Sequence, residues 1–153
     1  MTITYRLCKQ HRDPRRSLGA AAVGARWNPP GIEVVYTSIH ASLAVLEILA
    51  NSDDLPDDYS LTEIHIPDKV PIEHLSNDDL PPNWTIDRPY SREAQAVGAR
   101  WTNAGHRAVL SVPSKIMWPV TSERNFLLNP AHPSFRLIEF VTTQPFHFDT
   151  RLK

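Results

Sequence analysis

Glu33-Val34-Val35-Tyr36-Thr37-Ser38 runs directly into Ile39-His40-Ala41-Ser42-Leu43-Ala44-Val45-Leu46-Glu47-Ile48-Leu49-Ala50-Asn51, and the fold turns on this stretch. Glu33–Thr37 is rich in β-branched and aromatic side chains and predicts a strand. Ser38 is a natural N-cap, and Ile39–Asn51 has the length and apolar spacing of a helix. Apart from His40, Glu47 is its only ionisable side chain. At about 100° per residue, Leu43, Ala44 and Ala50 share the face of Glu47, while Val45 and Leu49 lie opposite. A helix apolar on nearly every side reads as a core helix. A carboxylate within it must neutralise, find a cation or line a cleft. The nearest candidate cation upstream is Arg26, in the loop Gly24-Ala25-Arg26-Trp27-Asn28-Pro29-Pro30-Gly31.

Outward from this centre, Thr2–Leu7 and Leu61–Ile66 alternate apolar and polar residues and predict strands. Arg6, Lys9, Arg12, Arg15 and Arg16 form a basic stretch ahead of the small-residue run Leu18–Ala25. Asn51–Ser60 is acidic and turn-rich, and Pro67–Pro89 reads as mostly irregular. Ser91 can cap a second helix through about Gly98. Ala108–Val112, Phe135–Val141 and a short Phe146–Phe148 are further strand candidates. Mixed strands with few helices predict a single α+β domain over residues 1–153 rather than regular βαβ winding. Val-Gly-Ala-Arg-Trp occurs at Val23–Trp27 and Val97–Trp101, and Asp-Asp-Leu-Pro at Asp53–Pro56 and Asp78–Pro81. The two separations share no period, so no tandem repeat is indicated.

A chain of 153 residues can bury one real core. Its 16 basic and 17 acidic residues nearly balance, which argues against a general nucleic-acid binder. Cys8 stands alone, which excludes an internal disulfide and a Cys-based zinc site. No apolar run reaches membrane-spanning length and the start is unlike a signal peptide, so the cytoplasm is the default compartment. Glycines stand too far apart for a phosphate loop. No two histidines fall at helical spacing, so a metal site would have to be assembled wholly by tertiary contacts and none is expected.

Four constellations remain. Prolines and glycine fix the Arg26 loop, whose guanidinium suits phosphate or carboxylate; the plain alternative is a structural Arg26–Glu47 ion pair. Tyr36 ends a strand at the sheet's rim, where a ring can stack on a planar ligand or simply pack. Ser114, after Val112-Pro113, offers a hydroxyl at a strand end without a hydrolase elbow around it. Asn125, within Glu123–Pro133, can present an amide.

Together these pieces resemble the RES-domain family, named for arginine, glutamate and serine. The likeness runs through Tyr5-Arg6, Gly24–Gly31, Val35–Ser38, Ala44–Glu47, Asp79–Trp84, Gly98–Trp101, Val112–Ser114, Leu127–Pro133 and Phe148–Leu152. Ala25 stands where the family commonly has glycine. The resemblance implies a fold like that of ADP-ribosyltransferases and a toxin of a type II toxin–antitoxin pair. Its partner would be an antitoxin with a helix-turn-helix (Xre-like) DNA-binding domain, in a hetero-oligomer that has room for a toxin homodimer. The toxic act would be cleavage of NAD+, with NAD+ as substrate, inorganic phosphate as a candidate co-substrate and no resident cofactor. The family's functional residues fall on Arg26, Tyr36, Glu47 and Ser114, with Tyr5, Arg6, Trp27, Asn28 and Asn125 as further ligand-binding candidates. In that chemistry Glu47 steadies an oxocarbenium-like ribosyl cation, Arg26 grips the pyrophosphate with Arg6 or Arg12–Arg16 as helpers, and Tyr36 stacks on nicotinamide. The partner's C-terminal segment would plug the cleft near Arg26. The rivals are ADP-ribosyl transfer onto a protein, and a non-catalytic interaction domain built on a buried Arg26–Glu47 pair.

Overall fold

In the computed structural model, which describes all residues from Met1 to Lys153, two eight-residue strands form the axis of the sheet. β1 (Thr2–Lys9) and β3 (Tyr59–Ile66) pair antiparallel, with Thr2 opposite Ile66 and Lys9 opposite Tyr59. β2 (Val35–Ser38) lies on the other side of β1, with Tyr5 opposite Ser38. β6 (Arg124–Leu128) follows β2, then β5 (Val109–Pro113), then β4 (Ile72–His74) parallel to β5. β7 (Glu139–Phe146) closes the far edge on β3, giving the order β4-β5-β6-β2-β1-β3-β7. One parallel pair in an otherwise antiparallel sheet, with helices added at its faces, makes this an α+β domain.

The sheet is covered on both faces around β5. Every residue of β5 is buried, as expected where neither face meets water. One core holds Val35, Ile64, Val109 and Leu128; a second holds Trp27, Trp84, Trp101, Val112 and Leu127.

Three helices complete the fold: α1 (Leu18–Val23), α2 (Ala41–Ala50) and α3 (Arg92–Ala104). No helix is long and apolar enough to cross a membrane. α2 is not buried all round as its composition predicts. It lies against β1 and β2, burying only Leu43 and Ala44, while Leu46 is 39% exposed. Leu43 and Ala44, one turn before Glu47, do set the sheet-facing side.

The predicted N-cap is also corrected. Ser38 is the last residue of β2, and His40 takes the cap position without a side-chain cap bond. Ser91 does cap α3, accepting from the Ala94 N–H at 3.1 Å. That helix runs past Gly98 to a left-handed Gly105, φ +65°. Glycine inside the helix marks a close approach: a Cβ there would stand 1.6 Å from the Trp27 carbonyl oxygen. The repeated Val-Gly-Ala-Arg-Trp string thus leaves helix α1 after its valine at the first occurrence and is helix throughout at the second, and the two pack on each other.

Other boundaries moved for local reasons. α1 forms in the small-residue run, and β4 in a segment read as irregular. Phe135 and Leu137 belong to a 3-10 turn opened by Pro133, which displaces the strand to Glu139–Phe146 and leaves no separate strand at Phe146–Phe148.

Candidate active site

Glu47 projects from α2 toward β6 and the end of β5. Its Oε1 accepts from Asn125 Nδ2 at 2.7 Å and from Ser114 Oγ at 3.1 Å. Asn125 is oriented in turn by Ser38 Oγ, which donates to its Oδ1 at 2.8 Å. Ser38 and Asn125 are direct partners across β2 and β6, and Val112 faces Asn125 across β5 and β6. One carboxylate oxygen is therefore held by β6 and by the residue that follows β5, with β2 bracing Asn125 behind them. The second, Oε2, has no hydrogen bond from the protein. Ser114 is fully buried behind the carboxylate.

Arg26 is held by a different device. Its loop closes through paired Ala25–Asn28 backbone bonds. The Asn28 amide is fully buried; its Nδ2 donates to the carbonyls of Ala20 and Ile32, at 3.1 and 2.9 Å. Tyr36 Oη donates to Asn28 Oδ1 at 2.6 Å and accepts from the Trp27 N–H at 3.1 Å. Burial pushes the Tyr36 phenol well above its usual range, so it stays a neutral donor. The Trp27 indole stacks on Trp84 with centroids 5.7 Å apart, and Gln95 of α3 donates to the Ala25 carbonyl at 3.0 Å. Among non-glycine residues only Asp58 has positive φ, so Ala25 sits in backbone that any residue adopts.

The Arg26 guanidinium does not pair with Glu47. Nη1 donates to the carbonyls of Trp84 and Ile86 at 2.8 and 3.1 Å, and Nη2 bonds the Asp87 carboxylate. Tyr90 lies under it, 5.3 Å from ring centroid to guanidinium carbon. The plain alternative, a structural Arg26–Glu47 ion pair, is thus absent, each group having partners of its own.

Arg26 and Glu47 line one cavity of about 770 Å³, within the roughly 300–1,000 Å³ usual for small-molecule sites. Its wall carries six cations, Arg6, Lys9, Arg12, Arg16, Arg26 and Lys115, against two carboxylates, Asp13 and Glu47. That balance suits a ligand with more than one negative charge. Arg6 donates to the carbonyls of Tyr36 and Arg16, both at 3.0 Å, while its enclosed Nε finds no partner. Burial pulls its pKa below the usual value, opposed by nearby Cys8 and Glu33. No three His, Cys, Asp or Glu side chains converge as a metal site.

Residues 3–149 match the RES domain family. The chain belongs to the RES-domain family. This RES domain is 35% identical over 144 residues to the "Prs ADP-ribosylating toxin" of Sphingobium sp. (strain YBL2), covering 92% of this chain and 87% of that one. It is 37% identical to the protein named "Toxin Res" in Photorhabdus laumondii, covering 88% of this chain and 85% of that one. Among solved structures, the M. tuberculosis MbcT-MbcA toxin-antitoxin complex contains a chain of the same fold. The TM-score is 0.66 at 19% identity, over 95% of this chain and 84% of that one.

The expected site residues of this RES domain divide by position. Tyr5, Arg6, Arg26, Tyr36, Glu47 and Asn125 all line the cavity. Asn28 does not: its amide is spent inside the loop. Trp27 is 2% exposed with its indole in the core, so only its backbone side meets the cavity. The Tyr36 hydroxyl locks the Arg26 loop, a role beyond the ring stacking expected of it. Asp87, Tyr90 and Lys115 were missed, since contacts spanning the 61 residues from Arg26 to Asp87 leave no trace in local pattern.

Proposed function

We propose that this RES domain is the toxin of a toxin–antitoxin pair and that it acts by breaking the nicotinamide–ribose bond of NAD+. The observation that carries the reading is Glu47: one oxygen anchored by Asn125 and Ser114, the other free, in a cavity where six cations face two carboxylates. When the C–N bond breaks, its electron pair stays on the ring nitrogen. The pyridinium leaves as neutral nicotinamide, and positive charge develops at the ribose anomeric carbon. A fixed carboxylate beside that carbon stabilises the charge without reorganising. Asn125 and Ser114 keep it oriented, and the cations Arg26 and Arg6 hold the pyrophosphate. An acceptor oxygen then bonds the anomeric carbon and loses a proton. With water the product is ADP-ribose; with inorganic phosphate it is ADP-ribose 1″-phosphate.

A second reading is transfer of ADP-ribose to a protein side chain, favoured by the name of the Sphingobium relative. The two share the bond broken and differ in the acceptor. NAD+ labelled in its adenylate separates them. Label in small products only supports degradation, label retained on a target protein after denaturation supports transfer, and intact NAD+ contradicts both. We further assign it an antitoxin partner with a helix-turn-helix DNA-binding domain, which leaves DNA contact to that partner, as this chain's near-neutral charge allows.

A further inference from the structure

Asp87 bridges two cavity cations. Its Oδ1 accepts from Arg26 Nη2 and its Oδ2 from Lys115 Nζ. These contacts join residues 61 and 28 positions apart in the chain. The segment bearing Asp87 also supplies both carbonyls that hold Arg26 Nη1 and the Tyr90 ring beneath it. A bridge pair between Asp87 and Tyr90 closes that segment into a turn. Arg26 thereby has every Nη1 hydrogen engaged, while its Nε–H and one Nη2 hydrogen remain without a protein partner. Those are the donors left to meet an anion.

We propose that Asp87 is a positioning residue for diphosphate recognition: it fixes the roll of the Arg26 guanidinium and seats Lys115 beside it, so that both present donors to one ligand. Lysine is a flexible point charge, and an anchored partner gives it a place. Asp87 is itself 47% exposed. A pair so wet contributes little to stability, so its value lies in geometry. Lys115 and Arg26 hold the Asp87 carboxyl below its usual pKa, so the bridge persists at neutral pH. Placing a carboxylate among phosphate-binding cations otherwise works against anion binding, and this gives the test a sign.

The proposal rests on the NAD+ reading for its substrate, whereas a binding measurement stands apart from turnover. ADP-ribose and inorganic pyrophosphate would be titrated calorimetrically into wild type, Asp87→Asn and Asp87→Glu, each checked for a native thermal transition. Removing a negative charge from beside two cavity cations should tighten anion binding if charge alone matters. Positioning gives the opposite result: about tenfold weaker ADP-ribose binding by Asp87→Asn, with most of it restored by Asp87→Glu. Turnover by Asp87→Asn should then lose more in kcat/KM than in kcat. Unchanged or tighter binding by Asp87→Asn overturns the proposal, and so does equal weakening by Asp87→Glu. If wild type binds ADP-ribose but leaves NAD+ intact, the NAD+ reading falls while the binding sign still decides Asp87. If wild type binds neither probe, both fall.

Discussion

Glu47 is held from behind by Asn125 of β6, itself braced by Ser38 of β2, and by Ser114 just past β5, whereas Arg26 is held by one loop clamped under another. The first arrangement is built on backbone pairing, where register alone brings Ser38, Asn125 and the end of β5 together. The second depends on contacts from outside the loop: Tyr36 on Asn28, Gln95 and the bare Gly98 of α3 against Ala25 and Trp27, and Asp87 and Tyr90 on the guanidinium itself. Sites on regular elements are the more rigid, and loop-borne groups rely on their supporting contacts. The difference implies that the carboxylate side tolerates change elsewhere in the molecule, while the cation side fails when any clamp is loosened.

The largest effect should come from Glu47→Gln, which keeps the hydrogen-bonding shape and removes the charge. NAD+ turnover should fall about 10²–10³-fold with the thermal transition nearly unmoved, as measured by nicotinamide release beside a melting curve. Arg26→Ala should cost about 10²-fold, with KM raised; a loss confined to kcat would place Arg26 at the chemistry instead. Gly98→Ala drives a Cβ into the Trp27 backbone, where no flexible side chain can yield. It should destabilise by about 3 kcal/mol or more, at or beyond the upper end for overpacking, and denaturant titration would show it. Tyr36→Phe leaves Asn28 Oδ1 and the Trp27 N–H without their partner and should cost about 1–2 kcal/mol. In both of these variants, which touch supports of the Arg26 loop, KM should rise, because the clamp on Arg26 loosens while Glu47 keeps its contacts with Asn125 and Ser114.

The smallest effect concerns acid. Lys115 and Arg26 depress the Asp87 pKa from its ordinary 3.8. The bridge therefore contributes stability that is present above that ordinary value and lost as pH falls through the lowered one. With the carboxylate 47% exposed, the contribution is within about 1 kcal/mol. Acid unfolding of Asp87→Asn should lack that limb and otherwise track wild type.

The same contrast governs what could be read in the sequence. β1, β3 and the helix carrying Glu47 announce themselves by period, and the face shared by Leu43, Ala44 and Glu47 follows from helical geometry. β6 does not: Arg124-Asn125-Phe126-Leu127-Leu128 lacks alternation because its apolar half is buried on both sides, and the prolines after it suggest a turn. Ser38 has the chemistry of a cap but spends its hydroxyl on Asn125, a partner 87 residues away. Arg26 and Glu47 were legible as chemistry-bearing residues, and the RES resemblance named them. Ser114 and Asn125, which hold Glu47, were also among the candidates, though not as its partners; the partners of Arg26 were not, because Asp87 lies in a segment without period and its role exists only after folding. The core-helix reading of α2 failed for a related reason: apolar composition does not say how much neighbouring structure there is to cover it.

One measurement goes straight to the central claim that Glu47 in this cavity breaks the nicotinamide–ribose bond. Proton NMR would follow NAD+ with free wild-type protein and with Glu47→Gln, each with and without inorganic phosphate. The expected result is free nicotinamide with wild type and almost none with the equally folded Glu47→Gln, with phosphate acceleration marking phosphate as the acceptor. Equal nicotinamide release by the two proteins, or none from well-folded wild type, would contradict it.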